Sequence, residues 1–362
     1  MSTCQVEFRP SETAPEADRL SAAINISPLQ GEPYVFEVAI LRNEKNRLKN
    51  QGTSVKRIVV VGELNVDLVV TGLNAAPIFG QEILAANFEM TLGSASAIFA
   101  CGVAKLGNDV TFISQVGHDD IGKFCLEALR QAGISTERVR QDASLKTGVT
   151  ISLSTPDDRA LVTFLGAISE LGIEHVPVTD LEGHSHLHAT SYFLQHNLRP
   201  FFPTILRKAK GYGLTTSFDP NSDPSSEWKE SIWEVISQTD ILFLNEPESL
   251  RLTRRADVGD ALTHLSEVLP CAVIKLGPKG AMATRNGEIV FVEGFKLDAV
   301  DTTGAGDSFA AGFLQGFLEG QDLHTCLAFG NACGALSTLK AGGTTNQPTR
   351  EQLADFLQTR NW

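Results

Sequence analysis

The sequence predicts an α/β fold: a three-layer sandwich with a mostly parallel central sheet, helices on both faces and a small β lid. Three observations carry that expectation. Short β-branched runs that stop at Gly, Asp or Asn alternate with helix-period segments. One region breaks the alternation with a hairpin pattern that has a polar and an apolar face. The 362 residues are 42% hydrophobic, enough for one large α/β core or two small ones.

Residues 1–56 are polar, carry charges of both signs and contain Pro10, Pro15, Pro28 and Pro33, which break any long helix. They are expected to form a poorly ordered or irregular extension, with one short strand or helix at 34–41. A single domain is expected over 57–362. Its first run, 58–62, is apolar, β-branched and ends at Gly62, as a buried parallel strand does. A helix follows at 95–106, with Gly107 as its stop. Residues 110–116 read as the next strand and 121–132 as the next helix, stopped by Gly133. The alternating segment 147–154, the turn Pro156-Asp157-Asp158 and the return 161–164 predict a hairpin. Strands at 66–70 and 83–90 join it, so the lid draws on 66–92 and 147–165. Alternation resumes with strands ending near Ala189, Asp219, Asn245 and Gly277, and with a helix at 203–211.

Acidic residues number 43 against 30 Lys and Arg, a net charge of −13. That excludes a nucleic-acid backbone or an anionic membrane as the main partner, because both attract basic surfaces. None of the six cysteines forms a Cys-x-x-Cys pair, and Cys101 lies among apolar helical neighbours. Buried free thiols in a reducing compartment are expected. No run of about 18 apolar residues predicts a membrane span. The first residues lack a basic start followed by an apolar run, and Glu7, Glu12, Glu16 and Asp18 do not suit a transit peptide. A cytoplasmic location is expected.

The most informative segment is Asp301-Thr302-Thr303-Gly304-Ala305-Gly306-Asp307-Ser308-Phe309, followed by an apolar helical run. A Gly-rich turn leading into a helix exposes unpaired N–H groups at the positive end of the helix dipole, which makes an anion site. Small side chains let a phosphate approach the backbone. Asp307 falls in the first helical turn. A carboxylate there either caps the helix or takes a proton from a hydroxyl beside a bound phosphate, and spacing leaves both open. The Gly-x-x-x-x-Gly-Lys-Ser/Thr loop is absent.

This segment resembles the C-terminal signature of the ribokinase-like (PfkB-type) carbohydrate kinases, and the resemblance extends from residue 57 to the C-terminus. It implies a ribokinase-like sandwich with a β lid and ATP-dependent phosphorylation of a sugar hydroxyl. It makes Asp307 the general base and gives Gly304, Ala305 and Gly306 the anion hole. Gly62-Glu63-Leu64-Asn65-Val66-Asp67 is similar to the family's first-strand motif, which implies that Asn65 and Asp67 bond sugar hydroxyls. Gly93-Ser94-Ala95-Ser96-Ala97-Ile98 looks like the N-terminal signature, with Gly93, Ser94 and Ile98 at substrate positions. Ser94 stands where the family has a second Gly, and Ile98 where it has an Asn. Ile cannot replace an amide's hydrogen bonds, so the departure bears on substrate identity and not on phosphoryl transfer.

Asn245-Glu246-Pro247-Glu248 resembles the family's Asn-x-x-Glu motif. The resemblance implies Asn245 near the nucleotide phosphates, and Glu248 and Asn245 near Mg²⁺ through water; helix capping by Asn245 is the alternative. Lys275-Leu276-Gly277-Pro278-Lys279-Gly280 resembles the nucleotide loop, which implicates Lys275, Gly277 and Gly280. Lys275 either contacts a phosphate or is solvated. Asn331 matches a position near adenine, or is a helix-surface amide. Asp301 and Thr303, with the backbone at 342–343, match a region that holds a monovalent cation such as K⁺ in some members. Asp219-Pro220-Asn221 partly matches a mid-chain motif, but Asp223-Pro224 stands where an Arg usually follows.

His184, His186 and His188 alternate along a strand, as a metal cluster or as ordinary strand-end histidines. Gln195 and His196 are candidate pocket groups. The expected partner is a sugar or polyol, with a homodimer through the lid strands. A nucleoside kinase of the same superfamily and a catalytically silent sugar or nucleotide sensor are the rival readings. A dinucleotide oxidoreductase is excluded, since Gly-x-Gly-x-x-Gly spacing is missing after the first strand. The acidic charge does not oppose ATP, because anion binding by backbone N–H groups and Mg²⁺ needs no basic surface.

Overall fold

The computed structural model describes residues 55–155, 159–360 and 362. The extension expected at 1–56 lies, up to residue 54, outside the described residues, as do Cys4 and the turn at 156–158. The first half of the chain runs β1 (Arg57–Val61), β2 (Asn65–Thr71), β3 (Asn87–Leu92), α1 (Ala95–Lys105), β4 (Asp109–Gly117), α2 (Asp120–Gln131), β5 (Val139–Asp142), β6 (Gly148–Ser154), β7 (Arg159–Phe164) and α3 (Ala167–Glu170). The second half runs β8 (His186–Thr190), α4 (Phe202–Gly211), β9 (Thr215–Asp219), α5 (Ile232–Ile236), β10 (Ile241–Asn245), α6 (Glu246–Thr253), α7 (Val258–Ser266), β11 (Cys271–Lys275), β12 (Gly280–Arg285), β13 (Glu288–Glu293), α8 (Ala305–Leu318), α9 (Leu323–Ser337) and α10 (Arg350–Gln358).

The central sheet has nine strands in the order β13-β12-β11-β10-β9-β8-β1-β4-β5. β11 through β5 are parallel, and β12 and β13 run antiparallel at one edge. Alternate strand residues feed two cores. Ile58, Val60, Phe243 and Val273 pack with Phe99 of α1 and Phe313 of α8 on one face. Val59, Val61, Leu242 and Ile274 pack with Leu206 of α4 and Leu262 of α7 on the other. Burial on both faces is why these strands read as continuous apolar runs. The parallel strands direct their carboxyl ends to one edge, where open α/β sheets bind ligands.

A second sheet has the order β3-β2-β6-β7. β3 starts at Asn87, later than the 83–90 expected, because its ladder with β2 begins only where Thr71 pairs with Asn87. Register and the two-residue period give this sheet unlike faces. Phe88, Met90, Ile151, Val162 and Phe164 share one face and are all exposed. Asp67, Thr150 and Thr163 share the other.

Cys101, Cys125, Cys271, Cys326 and Cys333 are free and buried. Burial pushes the thiols of Cys101, Cys125, Cys271 and Cys326 up to about 12, so they are inert. No helix among the described residues is long and apolar enough to cross a membrane.

Candidate active site

The Gly-rich turn does begin a helix. Gly304 is the N-cap of α8 at φ 70°, a left-handed conformation that favours glycine. No side chain among the described residues caps this N-terminus. The Ala305 N–H donates to the Thr302 carbonyl at 3.2 Å, so the amides left to an anion belong to Gly306 and Asp307 as well as Gly304. Ala305 therefore contributes small size to the turn more than a free donor. Asp301 braces it from below: its Oδ1 accepts from Thr303 N–H and its Oδ2 from Gly342 N–H, both at 2.9 Å. Asp301 thus ties the backbone of Thr303 to that of Gly342.

Four strand ends and α8 bring one ammonium among four carboxylates. Lys275, at the end of β11, donates through Nζ to Asp219 Oδ2 at 2.7 Å. Its other charged neighbours are Glu248 and Asp307. Glu63, just beyond β1, accepts from Ser96 Oγ at 2.5 Å and faces the same cluster. Asp307 is half-buried. Even so, burial pushes its carboxyl up to about 8; Lys275 opposes that rise, while Asp219, Glu63 and Glu248 add to it. Glu248 is likewise raised, by burial first and then by Asp219. Lys275 is neither solvated nor isolated: its side chain is 14% exposed and its charge is held by Asp219.

Asn245 and Glu248 form a capping box at the start of α6. Asn245 Oδ1 accepts from Glu248 N–H and Glu248 Oε2 accepts from Asn245 N–H, both at 2.9 Å. Ser222 Oγ donates to Glu248 Oε1 at 2.9 Å. The motif therefore caps a helix and presents a fixed carboxylate at the sheet edge at once. Gly277 and Gly280 flank the following loop at φ 60° and 117°, and a Cβ on Gly280 would lie 2.1 Å from the Val292 carbonyl. Asn331 is not a surface amide. It is buried, and its Nδ2 donates to the carbonyls of Val292 at 3.0 Å and Glu293 at 3.2 Å, tying α9 to β13.

On the other side of the cleft, Asn65 Nδ2 donates to Asp67 Oδ1 at 3.2 Å and to Thr150 Oγ1 at 3.3 Å. Gly93 sits against them: a Cβ there would lie 2.1 Å from Asp67 Oδ1. Ser94 caps α1 while holding φ 76°, which explains why Gly would be at ease there. Its Oγ donates to the Glu63 carbonyl at 2.6 Å. Ile98 does not stand alone in a pocket but reaches Gly304, whose Cβ would meet Ile98 Cγ2 at 2.9 Å.

The histidines form no metal cluster, and no group of three metal-ligating residues occurs among the described residues. His184 is half-buried against Thr111, while His186 and His188 make a buried polar column with Thr215 and Ser217 of β9. Thr215 Oγ1 donates to the Ser185 carbonyl, so it accepts from His186 Nδ1 at 2.7 Å. Ser217 Oγ then donates to His186 Nε2 and accepts from His188 Nδ1, each at 2.7 Å. Burial holds both rings neutral, His186 at about 3 and His188 well below its ordinary value. Gln195 is buried and bonded to the Thr190 carbonyl, and His196 is exposed.

Sequence reasoning missed Glu63, Ser96 and Ser222, and left Asp219 without a role. Their only signal was position: each lies at or just past a strand end, or at a helix start facing one.

Residues 55–350 match the family described as pfkB family carbohydrate kinase. The chain is 31% identical over 315 residues to 2-dehydro-3-deoxygluconokinase of Bacillus subtilis, covering 82% of this chain and 97% of that one. It is 29% identical to ribokinase of Haemophilus influenzae, covering 84% and 99%. Among solved structures, a ribokinase II type protein of E. coli superposes with a TM-score of 0.77 at 25% identity, covering 84% of this chain and all of that one. A structure of that type in complex with ATP and Mg²⁺ gives 0.76 at 26% identity, with the same coverage. The signature at α8, the sheet order and these matches agree: the chain is a sugar kinase, a phosphotransferase of the pfkB family of carbohydrate kinases.

Proposed function

We propose that the protein transfers the γ-phosphoryl group of ATP to a hydroxyl of a sugar or sugar-like substrate. One observation carries this reading: Asp307 lies in the first turn of a helix whose N-terminus no described side chain caps, with the Lys275 ammonium beside it. Asn65 and Asp67, backed by Thr150 on the polar face of the four-stranded sheet, bind substrate hydroxyls. Asp307 accepts the proton as the hydroxyl oxygen attacks phosphorus. The amides at 304, 306 and 307 receive the charge that grows on the phosphoryl oxygens. The nucleotide lies over Gly277, Gly280 and the Asn331 helix.

Glu248 fits a hydrated Mg²⁺. Each of its oxygens accepts one hydrogen bond, which leaves lone pairs for the cation's water. Glu248 and Asn245 would hold that ion, which neutralises phosphate charge when bound. Asp301 and Thr303 are the groups proposed to sit by K⁺. The four-stranded sheet acts as the lid, closing its polar face over the sugar and excluding water. Its outer face, with five exposed apolar residues, pairs with that of a second copy. A cytoplasmic location follows from the buried free thiols.

An ADP-release assay over ribose, fructose, adenosine and 2-dehydro-3-deoxygluconate tests the reading. Turnover on ribose, fructose or 2-dehydro-3-deoxygluconate is expected. Selective turnover of adenosine would favour the nucleoside-kinase alternative, and silence on all four with sugar-induced melting shifts would favour a sensor.

A further inference from the structure

We propose that Lys275 is a catalytic residue whose ammonium completes the anion hole at the start of α8, and that Asp219 is the positioning residue that holds it there. The inference rests on the kinase reading above and adds the group that stabilises the phosphoryl in flight.

The geometry begins with a glycine. A Cβ placed on Gly306 would lie 3.2 Å from Lys275 Nζ and 3.7 Å from its Cδ and Cε. The end of the lysine therefore runs along the bare face of Gly306, beside the amides that are free to bind an anion. Gly306 is needed for two reasons: phosphate approach, and room for this ammonium. Lys275 arrives there because β11 pairs in register with β10, which sets it across from Asn245 at the sheet edge.

The ammonium has three N–H donors. Asp219 Oδ2 takes one at 2.7 Å. Asp219 is itself fixed at its other oxygen, where Oδ1 accepts from Asn221 N–H at 3.1 Å. The Asn221 side chain in turn donates to Thr190 Oγ1 at 3.1 Å and Ser191 Oγ at 2.8 Å. Asp219 is only 2% exposed, so the pair is shielded from screening by solvent. Beneath it, His188, Ser217 and His186 form a polar but uncharged floor, with no competing anion to draw the lysine down.

A merely structural pair would match one cation with one anion. Here Lys275 also faces Glu248 and Asp307, and Glu63 joins Asp219 and Glu248 as a third carboxylate around Asp307. A cation preset at this point needs no reorganisation when phosphoryl charge develops, and that is the form of electrostatic stabilisation worth most in a partly dry site. In the transfer, the acceptor oxygen–phosphorus bond forms as the bond from the β-bridging oxygen to the γ-phosphorus breaks. The hydroxyl proton goes to Asp307, and Lys275 neither gives nor takes one.

Isothermal titration of the full chain with MgADP alone, and with MgADP plus aluminium fluoride as a planar phosphoryl mimic, tests this without turnover. The native protein should bind the fluoride complex much more tightly than MgADP. Lys275→Met should bind MgADP within a few-fold of native while losing about a hundred-fold of the fluoride-dependent tightening. The double variant Lys275→Met/Asp219→Asn removes both partners together, so that Asp219 is not left as a buried charge without its lysine. It should lose as much as Lys275→Met and no more, because Asp219 acts through the lysine. Unchanged tightening in both variants would overturn the role of Lys275. A further loss on adding Asp219→Asn would overturn the positioning role. If the native protein bound no MgADP, the kinase reading would fail first and this assignment with it.

Discussion

Ile98 wedges between the Gly304 turn and the loop at 342–343. A Cβ on Gly304 would lie 2.9 Å from its Cγ2, and one on Gly343 would lie 2.5 Å from its Cδ1. The residue that departs from the family pattern thus supports the site's floor through packing. Gly304→Ala would meet Ile98 and the Gly343 Cα while holding φ 70°. That conformation alone costs about 1–2 kcal/mol for a residue with a Cβ, so the turn should shift and kcat should fall about 5- to 30-fold. Adding Ile98→Ala should restore part of the loss; strictly additive effects in steady-state kinetics would refute the contact.

Asp307→Asn removes the proposed base while keeping the shape of the turn. The expected result is a fall in kcat of about 10²–10⁴-fold with the KM for ATP little changed. Near-native turnover would assign the proton to another group.

The raised carboxyl of Asp307 sets a pH dependence. Activity needs the ionised form, so kcat/KM should climb with pH toward about 8. Stability should run the other way. The native state binds this proton more tightly than the unfolded chain, so its contribution is present in acid and is lost as pH rises through about 8. Thermal melts should therefore show Asp307→Asn gaining on the native protein more at pH 9 than at pH 6. The same difference at both values would contradict the shift.

Gly93→Ala places a methyl group 2.1 Å from Asp67 Oδ1 and 2.9 Å from Asn65 Nδ2. The pair must move. The KM for the sugar should rise about tenfold or more, with nucleotide binding preserved, since each lost polar contact to a substrate costs about 1–3 kcal/mol. An unchanged sugar KM would remove Asn65 and Asp67 from the substrate site.

Val162→Asp and Phe88→Asp put charge on the exposed apolar face of the four-stranded sheet. Light scattering should show the native chain as a dimer and the double variant as a monomer. A native monomer would dismiss the pairing of lids.

Much of this architecture was legible because its signals are local. The apolar run at 58–62 and the stops at Gly107 and Gly133 each announce an element by composition. Gly304 and Gly306 before an apolar run announce a helix start without a side-chain cap. Other features depend on which strands become neighbours. Asp219 and Lys275 are far apart in sequence, and only the order β9-β10-β11 brings their ends together. Asn245 and Glu248 were legible as a motif, but whether that motif caps or catalyses is a question of hydrogen-bond directions. Asn331 was open to two readings, near adenine or on the helix surface, because its burial depends on β13, which packs on it from outside its own helix. Ser94 shows the limit in reverse: the chain keeps a glycine-like backbone with another residue, through its bonds to Glu63 and Ala97.

The gathering of Asp219, Glu248 and Asp307 around one lysine, with Glu63 beside Asp307, also makes the site a reservoir of unfavourable free energy. Like charges confined together oppose the folded state, and only the rest of the core keeps them there. Substitutions that neutralise one carboxylate away from the Lys275–Asp219 pair should therefore be recovered readily in selections for thermal tolerance, at the expense of turnover. Thermostability and catalysis in this enzyme would then trade against each other at these positions, while the opposite edge of the sheet remains free to be optimised for stability alone.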